Sequence, residues 1–233
     1  MRLIRLVTAG VTTLLLTVAT AVLTGTPATA AVWSSSDRWG TWSSGGYTIY
    51  NNIWGSGYGT QTISANSPGN WWVRADHPNT GGIKSYPNAT RHIGRKVSEL
   101  GPVTSSFDVT VPTSGVAFTT AYDIWTTDHA HEIMLWMNRY GPVGPLGGFE
   151  TTATVGGHTW DIYRGSNGHN QVYSFIRTAN TDTGTVDVTA VAQWIRAQGW
   201  FGDVTIGDVQ LGYEITSAAG GRDFVTNAFS VTG

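Results

Sequence analysis

From Trp39 onward, the 233-residue chain is a succession of short segments that alternate apolar and polar residues, separated by clusters of Gly, Asn, Pro and Ser. Tyr47 to Tyr50, Gln61 to Ser64, Trp71 to Ala75, Phe107 to Val111, Ala117 to Trp125, Glu132 to Asn138, His158 to Tyr163, Gln171 to Thr178, Val209 to Thr216 and Phe224 to Val231 all follow this pattern. A period of two puts successive side chains on opposite faces of a strand, and many short strands joined by turn residues build a sandwich or barrel. The reading is therefore an all-β fold, a sandwich or jelly roll. Thirty glycines and no cysteine fit it, because the turns need glycine and stability has to come from burial and backbone pairing. One stretch departs from the pattern. In Val186 to Gly199 the apolar Val188, Val191, Ala192 and Ile195 recur at helical spacing, Asp187 can cap the start and Gly199 can end it. One amphipathic helix is expected there, packed on the outside of a sheet.

The first thirty-one residues read differently. Arg2 and Arg5 precede an apolar stretch from Leu6 to Leu23, and Ala28-Thr29-Ala30 offers a small-residue cut site, so residues 1–31 are read as a secretory signal peptide cut after Ala30 or Ala31. The expected product is a secreted, extracellular, monomeric single domain, residues 32–233, with no membrane association after cleavage. Loss of two arginines and no acidic residue moves the formal charge from −2 to −4. That balance argues against a nucleic-acid partner, which would require a concentrated basic surface. The eleven Trp and nine Tyr fit a sugar-binding surface, where flat apolar faces cover the C–H face of a pyranose.

Two glutamates stand out. In Val209 to Thr216, Val209, Leu211, Tyr213 and Ile215 share one face, and Glu214 lies on the other with Gln210, Gly212 and Thr216. In His131 to Met137, Ile133, Leu135 and Met137 form a buried face, which leaves Glu132 in line with Met134 and Trp136. A carboxylate beside Met and Trp suits the wall of a cleft. Asp123 falls on the same side as Trp125 in another largely apolar strand. Glycoside hydrolysis uses two carboxyl groups flanking the scissile bond, about 5–5.5 Å apart for direct attack and wider if a water stands between. Two Glu on adjacent or facing strands can meet that distance. One has to be ionised and the other held protonated by apolar surroundings and a neighbouring charge.

Several motifs carry a resemblance: Trp39-Gly40-Thr41-Trp42, Gly46 to Gly55, Lys84-Ser85-Tyr86-Pro87-Asn88, Ala121 to Trp125, and Glu132 to Trp136 followed by Gly141-Pro142-Val143-Gly144-Pro145. In this order they resemble glycoside hydrolase family 12 over nearly all of the chain after the leader. The resemblance implies a two-sheet antiparallel β-sandwich (jelly roll) with a concave substrate groove, and a retaining, endo-acting β-1,4-glucanase that needs no cofactor and takes a β-glucan polysaccharide. By position Glu132 resembles the nucleophile, Glu214 the acid/base and Asp123 the auxiliary acid. Asn52 and Trp54 correspond to groove residues on the non-reducing side, and Trp39 to a more distal stacking platform. Met134 and Trp136 would line the groove, Pro145 belongs to a loop closing over it, and Asn167 is a further binding candidate. Many relatives tie their N-terminal strands with a disulfide, which this chain cannot form.

Other readings are weaker. His129 and His131 share a strand face opposite Glu132, so no metal shell is expected from Asp128, His129, His131 and Glu132. Asn88-Ala89-Thr90 fits a glycosylation sequon, and no serine sits in a Gly-x-Ser-x-Gly elbow. A non-catalytic β-glucan-binding module would lack paired groove carboxylates. A xyloglucan-specific member of the same family and a related jelly-roll xylanase are the nearest enzymatic alternatives.

Overall fold

The alternating segments become strands in the computed structural model, which describes residues 30–233. The leader read over residues 1–31 lies outside the described residues except for Ala30 and Ala31. The strands, in chain order, are β1 (Trp33–Ser35), β2 (Thr41–Ser44), β3 (Tyr47–Tyr50), β4 (Thr60–Ser67), β5 (Asn70–Asp76), β6 (Asn88–Lys96), β7 (Thr104–Thr110) and β8 (Ala117–Thr126). There follow β9 (His131–Tyr140), β10 (Gly148–Val155), β11 (His158–Ser166), β12 (Gln171–Arg177), β13 (Thr183–Asp187), helix α1 (Val188–Ala197), β14 (Thr205–Ser217) and β15 (Arg222–Thr232).

They form two sheets. The smaller runs β1-β4-β5-β15-β7-β13, and the larger β10-β11-β12-β9-β8-β14-β6-β3-β2. All neighbours pair antiparallel except β9 and β12, which run parallel with Glu132 opposite Val172 and Met134 opposite Ser174. That pair departs from the wholly antiparallel expectation. It arises because the β10–β11–β12 meander folds back and lays its last strand, not its first, against β9.

Between the sheets the inward residues interlock through aromatic rings. Phe118 of β8 meets Phe224 of β15 at 4.8 Å, and Tyr213 of β14 meets Trp71 of β5 at 5.4 Å. The Tyr213 hydroxyl lies 2.8 Å from Thr226 Oγ1, so its polar end is satisfied inside the core. These rings are buried, and each removes a large apolar area from water.

Helix α1 begins where expected. Asp187 Oδ1 accepts a 2.8 Å hydrogen bond from the Ala190 amide, and Gly199 follows the helix with φ of +71°. One face packs inward and Gln193, Arg196 and Ala197 face solvent. Val188, Val191, Ala192 and Ile195 join the main core, and Trp194 packs edge-on against Phe175 of β12 at 5.6 Å. The helix thus adds its apolar face to the main core.

Strands β8 and β9 are buried along most of their length on both faces. Inward they meet the main core. Outward, Ala121, Met134, Trp136, Val172 and Ile176 form a second apolar cluster on the far side of the larger sheet. That cluster is the floor on which the site is built. The sequon residue Asn88 is 2% exposed, with Nδ2 donating to the Tyr86 carbonyl at 2.8 Å, which leaves no room for a glycan.

The cap gives a stability test that leaves the site untouched. Asp187→Ala should lower unfolding free energy by about 1 kcal/mol in urea titration with no change in specific activity.

Candidate active site

Glu132 and Glu214 open into one cleft of about 380 Å³, together with Trp54, Met134, Trp136, Pro145 and Asn167. Ile83, Gly144, Leu146 and Val172 complete its lining. A larger cavity of about 500 Å³ lies at the β1–β4 edge beside Asp37, Arg38 and Tyr58, away from both glutamates. The cleft is the chemically equipped one.

The strand arrangement differs from the simplest expectation. Glu132 is on β9 and Glu214 on β14, and β8 stands between them. Along β8, Trp125 lies opposite Glu132 and Thr119 opposite Glu214, near its two ends. The two residues meet across a diagonal of the sheet. Sheets with the usual right-handed twist curl along one diagonal, which draws side chains on that face together.

Asp123 lies on β8 between the two, directly opposite Met134 and one pleat from the partner of Glu132. It is 6% exposed. Burial raises its pKa well above the usual carboxylate range, and the charges of Glu132 and Glu214 and a hydrogen bond to Glu132 push the same way. Asp123 is thus held towards its protonated form, with Glu132 as the neighbouring acceptor. Glu132 is itself raised by burial, but the Asn170 and Asp123 hydrogen bonds draw it back towards ionisation. Glu214 has no such donor: burial, followed by the charge of Glu132, pushes it up to about 7. Beneath the carboxylates, Tyr86 is fully buried and donates to the Ala121 carbonyl at 3.0 Å. Its own pKa is raised by burial and by all three acids.

Asn170 is the residue that the sequence pattern did not reveal. Its Nδ2 donates to Glu132 Oε2 at 2.8 Å, while Asn167 Nδ2 donates to Asn170 Oδ1 at 2.7 Å. Asn167 Oδ1 in turn accepts the amides of His169 and Asn170 at 2.9 and 3.0 Å. Asn167 thus borders the cleft and also fixes the turn that aims Asn170. The Ser166-Asn167-Gly168-His169-Asn170 run has the composition of a side-chain-stabilised turn. The parallel β9/β12 pairing brings it beside Glu132, since Gln171 pairs with His131.

Trp54 projects from a loop held at both ends. The Arg38 guanidinium donates to the carbonyl of Ile53 and, at 2.9 Å, to that of Trp54, and Gly55 donates to the Lys84 carbonyl at 2.9 Å. Asn52, with φ of +41°, exchanges hydrogen bonds with Tyr86: its Nδ2 donates to the Tyr86 carbonyl at 3.1 Å, and its own carbonyl accepts the Tyr86 amide at 3.0 Å. Asn52 is not among the cleft-lining residues, and neither is Trp39. Trp39 is 60% exposed, and the Arg38 guanidinium lies 4.9 Å from its ring and 5.0 Å from that of Tyr58. His129 sits in a turn with φ of +54°, and His131 Nδ1 lies 3.0 Å from the Tyr173 hydroxyl on the core side. Among the described residues no group of three His, Cys, Asp or Glu is placed to hold a metal.

Two carboxyl groups sharing one apolar-floored cleft are the arrangement that glycoside hydrolysis uses. Residues 45–232 match the profile of glycosyl hydrolase family 12, and the chain belongs to that family. A probable xyloglucan-specific endo-β-1,4-glucanase A from Aspergillus terreus is 31% identical over 215 residues, covering 84% of this chain and 86% of that protein. The xyloglucanase domain of NopAA, a type three effector from Sinorhizobium fredii solved with cellobiose, is 41% identical. It superposes with a TM-score of 0.84 over 87% of this chain and 99% of that one. Endoglucanase cel12A from Rhodothermus marinus is 26% identical, with a TM-score of 0.78 over 86% of this chain and 98% of that one.

Removal of the Asn170 amide takes away a donor that favours the ionised form of Glu132. Asn170→Ala should move the acidic limb of the kcat/KM profile to higher pH and lower kcat on the order of tenfold, as read from initial rates between pH 4 and 8.

Proposed function

We propose that the chain is an endo-acting β-1,4-glucanase that works by a retaining double displacement, with Glu132 as nucleophile and Glu214 as acid/base. The observation that carries this reading is the division between the two glutamates within one cleft. Glu132 receives hydrogen bonds that favour its anion, and Glu214, lacking them, is held protonated up to about pH 7.

In the first step a Glu132 oxygen bonds to C1 of the sugar as the C1–O glycosidic bond breaks, and the departing oxygen takes the Glu214 proton. In the second, Glu214 removes a proton from water, the hydroxyl oxygen bonds to C1, and the Glu132–C1 ester breaks. Inversion occurs twice, so the anomeric configuration is kept. Asp123 holds the proton that orients Glu132 and keeps a third charge out of the cleft. Trp54, Met134, Trp136, Pro145 and Asn167 would hold glucosyl units along the cleft, with Asn52 and Trp39 supporting the non-reducing side. The reaction needs only carboxyl groups and water, so no cofactor is called for. The leader supports export, and among the described residues no helix is long and apolar enough to cross a membrane. The enzyme would act as an extracellular monomer.

A xyloglucan-specific enzyme is the second reading, favoured by two relatives whose names specify xyloglucan. Product profiles on carboxymethylcellulose, mixed-linkage glucan and xyloglucan separate the two.

Glu132→Ala should abolish turnover of soluble glucan while oligosaccharide binding persists; near-normal activity would remove Glu132 from the mechanism. NMR of early products should show the β-anomer first. Wild-type kcat/KM should fall as pH rises through about 7, because Glu214 then loses the proton it must donate. For Glu214→Ala, an activated aryl cellobioside should lose far less rate than a natural glucan, since its leaving group needs little protonation.

A further inference from the structure

One row of residues crosses the outer face of the larger sheet from the acids to its β10 edge. Asp123 on β8 is opposite Met134 on β9, Met134 opposite Ser174 on β12, Ser174 opposite Tyr163 on β11, and Tyr163 opposite Phe149 on β10. Met134 lines the cleft, and Tyr163 packs against the outer apolar cluster. Ser174 Oγ, fully buried in this row, has no hydrogen-bond partner in the protein.

Phe149 reaches this face only because β10 carries a bulge. The register shifts between Phe149 and Thr151, so that Phe149 faces Tyr163 while Thr151 faces the core residue Ile162. In an unbulged register Glu150 would take the place opposite Tyr163, and Phe149 would share the parity of Thr151 and point inward. Glu150, the inserted residue, pairs with Arg164 at 3.2 Å, and Arg164 lies over Trp200, a ring packed against the core side. The two aromatic rings of the row meet edge to face at 5.6 Å, and Phe149 is 57% exposed. Leu146, 42% exposed and three residues before Phe149, lines the cleft. An exposed aromatic re-aimed by a bulge onto the face that holds the acids is poorly explained by core packing.

We infer that Phe149, with Tyr163 and Leu146, forms an outer platform for the β-glucan chain, at the end of the cleft opposite Trp54. This rests on the glucanase reading above. Three strand spacings separate Met134 from Phe149, about 14 Å, so the platform meets only sugars well beyond the scissile bond. With Trp54 on the non-reducing side, those sugars belong to the leaving portion of the chain. The ring offers a flat apolar face to a pyranose and serves as a specificity residue, not a catalytic one.

The test compares cellohexaose with para-nitrophenyl β-cellobioside, whose aryl group is too short to reach Phe149. Phe149→Ala should lower kcat/KM on cellohexaose on the order of five- to tenfold, mainly through KM, and leave the aryl substrate within about twofold of wild type. Phe149→Trp should retain cellohexaose activity, which a merely structural role for the phenylalanine would not require. An unchanged rate on cellohexaose, or equal losses on both substrates, would overturn the platform. Failure of the wild-type enzyme to cleave any β-1,4-glucan would overturn the glucanase reading itself, a result distinct from a wild type that cleaves and a variant that matches it.

Discussion

The central strands of the larger sheet are buried on both faces, and the rest of the molecule follows from that. On the inner side, β8 and β9 present Phe118, Tyr122, Ile124, Ile133, Leu135 and Met137 to the smaller sheet. On the outer side the same strands carry Ala121, Met134 and Trp136, an apolar surface interrupted by Asp123 and Glu132. Ionised carboxyl groups are unfavourable in such surroundings unless hydrogen-bonded or paired. Each acid of the site has a different answer to that problem, and the differences define the chemistry.

Burial and the two neighbouring glutamates favour the protonated form of Asp123, beside Glu132. Glu132 is stabilised as an anion by its hydrogen bonds with Asp123 and Asn170. Glu214 has neither neighbour and is repelled by Glu132, so its proton stays on until about pH 7. One low-dielectric floor thus raises both glutamates and sets them apart, because hydrogen bonds draw Glu132 back towards ionisation and Glu214 has none. The dependence on partners also explains why so much structure is spent on turns. The Ser166–Asn170 turn exists to aim one amide, and the loop carrying Trp54 is clamped by Arg38, Lys84 and the exchange between Asn52 and Tyr86.

Strands of clean alternation were legible. Residues 47–50, 117–125 and 132–138 fall within β3, β8 and β9, and the capped helix begins after Asp187. Several strands of polar or glycine-broken sequence were not. β6 ends as Arg91-His92-Ile93-Gly94-Arg95-Lys96, β10 is threonine-rich, and β13 contains Gly184; what makes them strands is pairing with neighbours distant in sequence. Position on the sheet was equally hidden. The order that separates Glu132 from Glu214 by β8, and the parallel pairing that sets Asn170 beside Glu132, depend on which strand edges meet.

Sequence by itself determined the material: alternating strands, one capped helix, and a face on which Glu132 stands with Met134 and Trp136. That much is local, because a period of two assigns each side chain to a face whatever the strand's neighbours are. Tertiary structure decided which faces touch. It drew two glutamates across a diagonal of a twisted sheet, supplied Asn170 from a distant turn, set the helix's apolar face against the main core, and turned Phe149 outward through a bulge. These outcomes rest on register and strand order, which non-local pairing fixes and which no window of residues contains.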